Sequence, residues 1–241
     1  PAAMPAQVAS RLESVSEPAR ALALAVAVLG GEARIDVAAA AAGLAPDAVA
    51  PRAAELIDAG LFGAAARPTW ALSLLGRAAR DLVPSGQRSL MAIGAARAMA
   101  DAGDPADQVA SLLIDAPAVG EPWAATVLAE AAGSAERHGA PEVAKDLWLR
   151  QLEEPLDLVA RGWATASVAR AEMHLGDPAG AARLRALAPL VDDPSLRCRV
   201  EFAAGRAYLW NADARTSTRC FADAADAAAM QHRPVADVAV L

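Results

Sequence analysis

Apolar residues in this chain recur every three or four positions, and the stretches that interrupt them are short and rich in turn formers. That spacing predicts amphipathic helices. Ser16-Glu17-Pro18 offers a capping hydroxyl, an acid in the first turn and an early proline, so a helix should start there and stop at Gly30-Gly31. A short helix is expected over 35–42, ending at Gly43. A third should run from near Pro46 to Gly60, with Val49, Ala53, Leu56 and Ile57 on one face. Leu61-Phe62, a loop through Pro68 and Trp70-Ala71-Leu72 then read as a small ribbon. Three short helices followed by a ribbon predict a winged-helix-like unit over residues 8–82. Beyond it the pattern is helical throughout, with helices expected at 73–82, 86–101, 106–115, 122–137, 141–152, 156–174, 178–189, 195–210 and 214–230. Pro84, Pro117, Pro155 and Pro194 separate them.

Over this helical stretch one turn recurs. Ala-Gly-Asp-Pro at 102–105, His-Gly-Ala-Pro at 138–141, Leu-Gly-Asp-Pro at 175–178 and Asn-Ala-Asp-Ala at 211–214 occupy corresponding places. From Gly103 through Gly139 and Gly176 to Ala212 the steps are 36, 37 and 36 residues. A period of that length predicts stacked helix pairs, each burying its apolar face against its neighbours. Small residues fall at matching places, with Ala132, Ala169 and Gly205 in the first helix of each pair and Ala144, Ala181 and Ser217 in the second. Trp148 and Phe221 are expected to fill the space between units, with Arg185 at the intervening place and Glu172 where an aromatic is usual. The pattern resembles tetratricopeptide repeats. The expected fold class is therefore all-α: the winged-helix-like unit, then a tetratricopeptide-like, right-handed helical repeat array over residues 83–241.

Composition narrows the function more than it names it. Alanine dominates and Lys145 is the sole lysine, which suits an all-helical chain. A net charge of −7 argues against a nucleic-acid partner, which would need a basic footprint. The expected third helix, 46–59, carries Asp47, Arg52, Glu55 and Asp58, a net of −2, the wrong sign for a recognition helix. The apolar stretch 22–29 is far shorter than the ~20 residues that span a bilayer, so no membrane is implied and a cytoplasmic location is expected. The chain starts without methionine and stops in the apolar run Val238–Leu241, as a segment of a longer protein would.

Several motifs, weak singly, gain weight from their order. They are Val28-Leu29-Gly30-Gly31-Glu32-Ala33, Ala41-Ala42-Gly43-Leu44, Glu55-Leu56-Ile57-Asp58-Ala59-Gly60-Leu61-Phe62 and Asp81-Leu82-Val83-Pro84-Ser85-Gly86-Gln87-Arg88. Ala100-Asp101-Ala102-Gly103 and Ala169-Arg170-Ala171-Glu172 follow, the latter before Leu175-Gly176-Asp177-Pro178. Over nearly its whole length the chain resembles the middle region of large ATP-binding LuxR-type transcriptional regulators of actinobacteria. The resemblance implies a regulatory, signal-receiving segment that is not itself an enzyme. It also implies an ATPase module, holding ATP or ADP, before this region and a LuxR-type DNA-binding domain after it. The segment contains no Gly-x-x-x-x-Gly-Lys-Ser/Thr phosphate loop, so no cofactor of that type is expected within it. Such regulators tend to carry a His-Pro pair after the wing, where this chain has Trp70-Ala71. The alternative is a free-standing tetratricopeptide-like scaffold for a protein or peptide.

Candidate chemistry is sparse. His138, His174 and His232 lack the convergent partners of a zinc site, and the first two sit where helices should end, favourable for an imidazole. Glu153-Glu154 and Asp192-Asp193 adjoin Pro155 and Pro194, where acids cap the next helix. Cys198 and Cys220 should be free thiols, because their offsets from the Ala212 turn differ by six residues, ~9 Å along a helix. The remaining candidates are aromatic. Trp163, Trp123 and Trp210 are expected to contact a protein partner or small effector on the repeat surface. Trp163 stands out because its equivalents one unit away are Thr126 and Arg199, a variability more typical of surface than core.

Overall fold

The computed structural model describes residues 3–30, 34–63 and 67–230, and among them the backbone forms thirteen α-helices. They are α1 (Ala3–Glu13), α2 (Glu17–Leu29), α3 (Ile35–Ala42), α4 (Val49–Asp58), α5 (Ser73–Leu82), α6 (Ser85–Asp101) and α7 (Ala106–Leu113). α8 (Pro122–Arg137), α9 (Pro141–Leu152), α10 (Leu158–His174), α11 (Ala179–Leu187), α12 (Pro194–Trp210) and α13 (Ala214–Ala229) follow. Short 3-10 turns cover Pro46–Ala48 and Ala188–Leu190. Gly31-Glu32-Ala33, His232 and the run Val238–Leu241 lie outside the described residues. The chain divides into two compact units, Pro1–Val119 and Gly120–Leu241.

In the first unit the local signals act as expected. Ser16 caps α2, its hydroxyl accepting from the Ala19 amide, and the left-handed Gly43 closes α3. Leu22 and Val26 of α2, Leu56 of α4 and Phe62 form one core with Val8 and Leu12 of α1, a helix the sequence pattern did not announce. Glu55, one of the acids on the third helix, accepts from both the amide and the hydroxyl of Ser16, so its charge fastens α4 to the start of α2. The expected ribbon is a single antiparallel bridge between Phe62 and Trp70. Their rings meet edge-on at 5.6 Å, and Gly76 of α5 leaves the indole its space: a Cβ there would lie 3.0 Å from Trp70 Cδ1. The boundary expected at 82/83 falls inside this unit. Met91 and Ala95 of α6 pack against Ala25, Val37 and Ala41, and bare Gly94 lies close to the Ala40 carbonyl. The pair α6–α7, with its Gly103 turn, thus belongs to the first unit.

The second unit is three antiparallel helix pairs, α8–α9, α10–α11 and α12–α13. Each closes with the same device as the Gly103 turn. Gly103, Gly139, Gly176 and Ala212 all have positive φ, at 75°, 71°, 73° and 59°. Each donates its amide to the carbonyl three residues back, while the next residue donates to the carbonyl five back, as Asp177 does to Glu172 at 2.9 Å. This double bond satisfies carbonyls that a helix end would leave orphaned, and it needs a left-handed residue. Three beats supply glycine, whereas Ala212 holds the conformation against its Cβ. Ala212→Gly is therefore expected to stabilise the unit by about 1 kcal/mol, seen as a higher midpoint in urea. An unchanged or lower midpoint would show that the turn is unstrained.

Small residues let the paired helices approach. Ala132, Ala169, Ala144 and Ala181 are buried. The Ser217 hydroxyl reaches the Gly205 carbonyl at 2.8 Å. Phe221 lies over Gly205, whose Cβ would come within 2.7 Å of its ring, and meets Phe202 at 5.4 Å. Phe221 itself is only half-buried. Ion pairs replace the missing aromatics: buried Glu172 pairs with Arg183, and Arg185 reaches both Glu201 and Asp223.

Candidate functional site

The three tryptophans offered as contact residues stand on separate helices. Trp123 is half-buried in the first turn of α8. Trp163 is 37% exposed on α10, with the Arg199 guanidinium 5.2 Å from its ring centre, a cation–π contact between equivalent positions of neighbouring repeats. Trp210, at the end of α12, is 91% exposed and borders a cleft with His174 and Asp177. Arg199 and Trp210 are eleven residues apart on α12, so Trp163 and Trp210 are separated by roughly 16 Å along the helix axis. They do not converge on one site.

Other polar candidates have structural work. His138 ends α8, its Nδ1 2.8 Å from the Ser134 carbonyl, and His174 ends α10. Among the described residues no group of three or more His, Cys, Asp or Glu is placed to hold a metal ion. Asp193 caps α12 by accepting from Ser195 and Leu196. Glu154 departs from the expected capping role. Its side chain is buried against Arg150, and it accepts the Gly120 amide at 2.9 Å. The cap of α10 is Asp157 instead. Cys198 packs among Ala224, Ala227 and Ala228, while Cys220 joins Leu184 and Val200, so the thiols are free and in different clusters. Burial pushes both thiols up, away from the nucleophilic thiolate. Burial likewise raises the Glu201 carboxyl, against the pull of Arg185.

What the sequence did not single out is an apolar groove of about 440 Å³ at the end of the α10–α11 pair opposite its turn. Leu158, Val159 and Gly162 of α10 form one wall, Leu187 and Leu190 another, and Leu196 of α12 closes the back. Leu158 is 81% exposed, Val159 55% and Leu190 76%, high values for neighbouring aliphatic side chains. Three of the four charged groups along the rim are engaged, Arg183 with Glu172, Arg161 with the Leu152 carbonyl and Asp193 with its helix cap, while Asp192 is exposed. The groove can thus take up an apolar group against its aliphatic walls while Asp192 stays in solvent. Each buried leucine or valine side chain contributes about 1.5–3 kcal/mol. In a helical repeat such residues read as core, and only the packing shows that nothing covers them.

Among the described residues no helix is long and apolar enough to cross a membrane. No family model matches the chain, and no curated protein matches it. Among solved structures the chain is similar to a Podosopora anserina protein described as a kinesin light chain with nearly identical TPR-like repeats. The likeness has a TM-score of 0.45 at 16% identity and covers 64% of this chain and 82% of that one.

Proposed function

We propose that this chain is a non-catalytic protein-interaction segment, and that the groove beside Leu158 and Leu190 takes an apolar segment of a protein partner. The observation that carries the reading is the cluster of exposed aliphatic side chains lining one groove. In the fuller form of the proposal the segment is the signal-receiving middle of an ATP-dependent LuxR-type regulator. It has no cofactor or nucleic-acid partner of its own, and it passes its bound state to an ATPase and a DNA-binding domain in the same protein. The ordered motifs from Val28 to Pro178 support that form.

Two experiments test the two levels. Peptides selected from a displayed random library against the purified chain are expected to carry paired apolar residues. Leu158→Asp or Leu190→Asp should weaken them at least about tenfold, the equivalent of part of one buried aliphatic contact. Val143→Asp, an exposed site on α9, should leave them unchanged. Binders indifferent to both groove substitutions would overturn the site. Self-association abolished by Leu190→Asp would reassign the groove to a second copy. For the parent, the encoding reading frame should contain a phosphate-loop ATPase upstream and a helix-turn-helix downstream. A frame holding neither would leave the scaffold reading and remove the regulator.

A further inference from the structure

The first unit contains a second cleft with opposite chemistry, and this inference goes beyond the groove. It has a volume of about 320 Å³ and lies where α5, α6 and α7 meet. Ser85, Arg88 and Ser89 line it from one face of α6, spaced as one helical stripe. Arg80 enters from the last turn of α5, Ser111 from α7 and Asp115 from just beyond it. Val28 and Leu112 add apolar surface.

The inventory of donors and acceptors is lopsided. Arg88 is held by one guanidinium nitrogen, Nη1, which donates to the buried Val83 carbonyl at 2.7 Å. Among the described residues no other acceptor takes its remaining N–H groups. Among the described residues neither Arg88 nor Arg80 forms an ion pair, although acids outnumber bases in this chain by 29 to 22. Asp115 shares the cleft but pairs with neither arginine. Among the described residues the Ser85 and Ser89 hydroxyls have no hydrogen-bond partner, whereas that of Ser111 is committed to the Gln108 carbonyl at 2.6 Å. Two guanidiniums without an ion pair and two unused hydroxyls among the described residues, against one carboxylate, make a site short of acceptor oxygens. Guanidinium forks match tetrahedral oxyanions in geometry and charge.

We propose that this cleft binds a small phosphorylated metabolite, with the phosphate monoester between Arg80 and Arg88 and its compact organic body against Val28 and Leu112. A bare phosphate would leave most of the volume empty. The size is at the low end for small-molecule sites, which start near ~300 Å³, and that favours a small ligand. A dianion answers two guanidiniums, where a carboxylate would answer one.

Phenyl phosphate is the probe, titrated by calorimetry into the purified chain beside inorganic phosphate and phenol. Saturable binding is expected for phenyl phosphate, at least about tenfold tighter than for inorganic phosphate, and none for phenol. Arg80→Gln and Ser89→Ala should each weaken it by about tenfold or more, the loss of one charge-assisted contact. Arg80 is exposed, so the unliganded melting temperature of Arg80→Gln should match that of the native chain. Absence of saturation up to ~10 mM phenyl phosphate would overturn the site, as would equal affinity for both phosphates or indifference to both substitutions. The groove variants Leu158→Asp and Leu190→Asp lie in the other unit and should leave this titration unchanged, so the two proposals fail separately.

Discussion

Glu154→Ala is expected to destabilise the second unit by about 3–5 kcal/mol, the usual cost of breaking a buried ion pair from one side. The Glu154 side chain has no exposed surface, and that of Arg150 is 4% exposed, with Nη2 2.9 Å from the carboxylate. The second carboxylate oxygen accepts the Gly120 amide. Truncation therefore strips a buried guanidinium of a carboxylate partner and removes an acceptor from a backbone N–H. The large number follows from what is left behind, not from the strength of the pair. Arg150→Met with Glu154→Leu removes both charges and fills the space, so the double variant should recover most of the loss. Glu153→Ala is the control, because that carboxylate is 62% exposed and 3.7 Å from Arg150. It should cost about 0.5 kcal/mol or less. Urea unfolding of the three variants decides the matter: a double variant as unstable as the single one would place the cost in packing rather than in charge.

Glu154 also marks where the sequence stops being informative. As one of two adjacent acids before a proline, it reads as a helix cap, and nothing local says that it is buried against Arg150 and the Gly120 amide. The parts that were legible are those fixed by neighbours in sequence. The Ser16 start of α2, the Gly43 stop of α3 and the four left-handed turns each depend on residues within one turn of the helix. Even Ala212 was found by its place in the period, although its side chain opposes the conformation.

What was missed depends on partners far along the chain. α1 has no strong start or stop signal, and its Val8 and Leu12 are core only because α5 and α2 lie beside them. The Gly103 hairpin follows the repeat period yet joins the first unit, since Met91 and Ala95 find their partners on α2 and α3. Glu172 and Arg185 looked like departures from the repeat. They are compensated by Arg183, Glu201 and Asp223 across helix boundaries, a substitution of charge pairs for rings that spacing alone does not reveal. The tryptophans drew attention by residue type, while the groove is made of leucines and valines that the helical period assigns to the core.

Gly180→Val should cost about 3 kcal/mol, and it tests how closely α11 is pressed onto α10. A Cβ at Gly180 would lie 2.5 Å from the Ala169 carbonyl oxygen and 3.1 Å from Glu172 Cβ and Met173 Cγ. The first of these is helix backbone, which cannot swing aside as a side-chain tip would. Either the helices separate or α11 rotates, and overpacking of this kind costs about 1–3 kcal/mol or more, growing with the added volume. Helix propensity works the other way, since glycine is about 1 kcal/mol worse than alanine in a helix interior. Gly133 isolates that term. Its added Cβ would meet only the Arg137 guanidinium at 3.4 Å, so Gly133→Ala should stabilise the unit by about 0.5–1 kcal/mol. The two substitutions are thus expected to move the urea midpoint in opposite directions. Displacing α11 also carries Leu187 away from Leu158 and stretches the 2.8 Å contact between Arg183 and Glu172. Gly180→Val should therefore weaken groove-bound peptides at a temperature where the variant is still folded. Full affinity in a destabilised variant would mean that α11 absorbs the side chain without moving, and that the groove does not depend on this close approach.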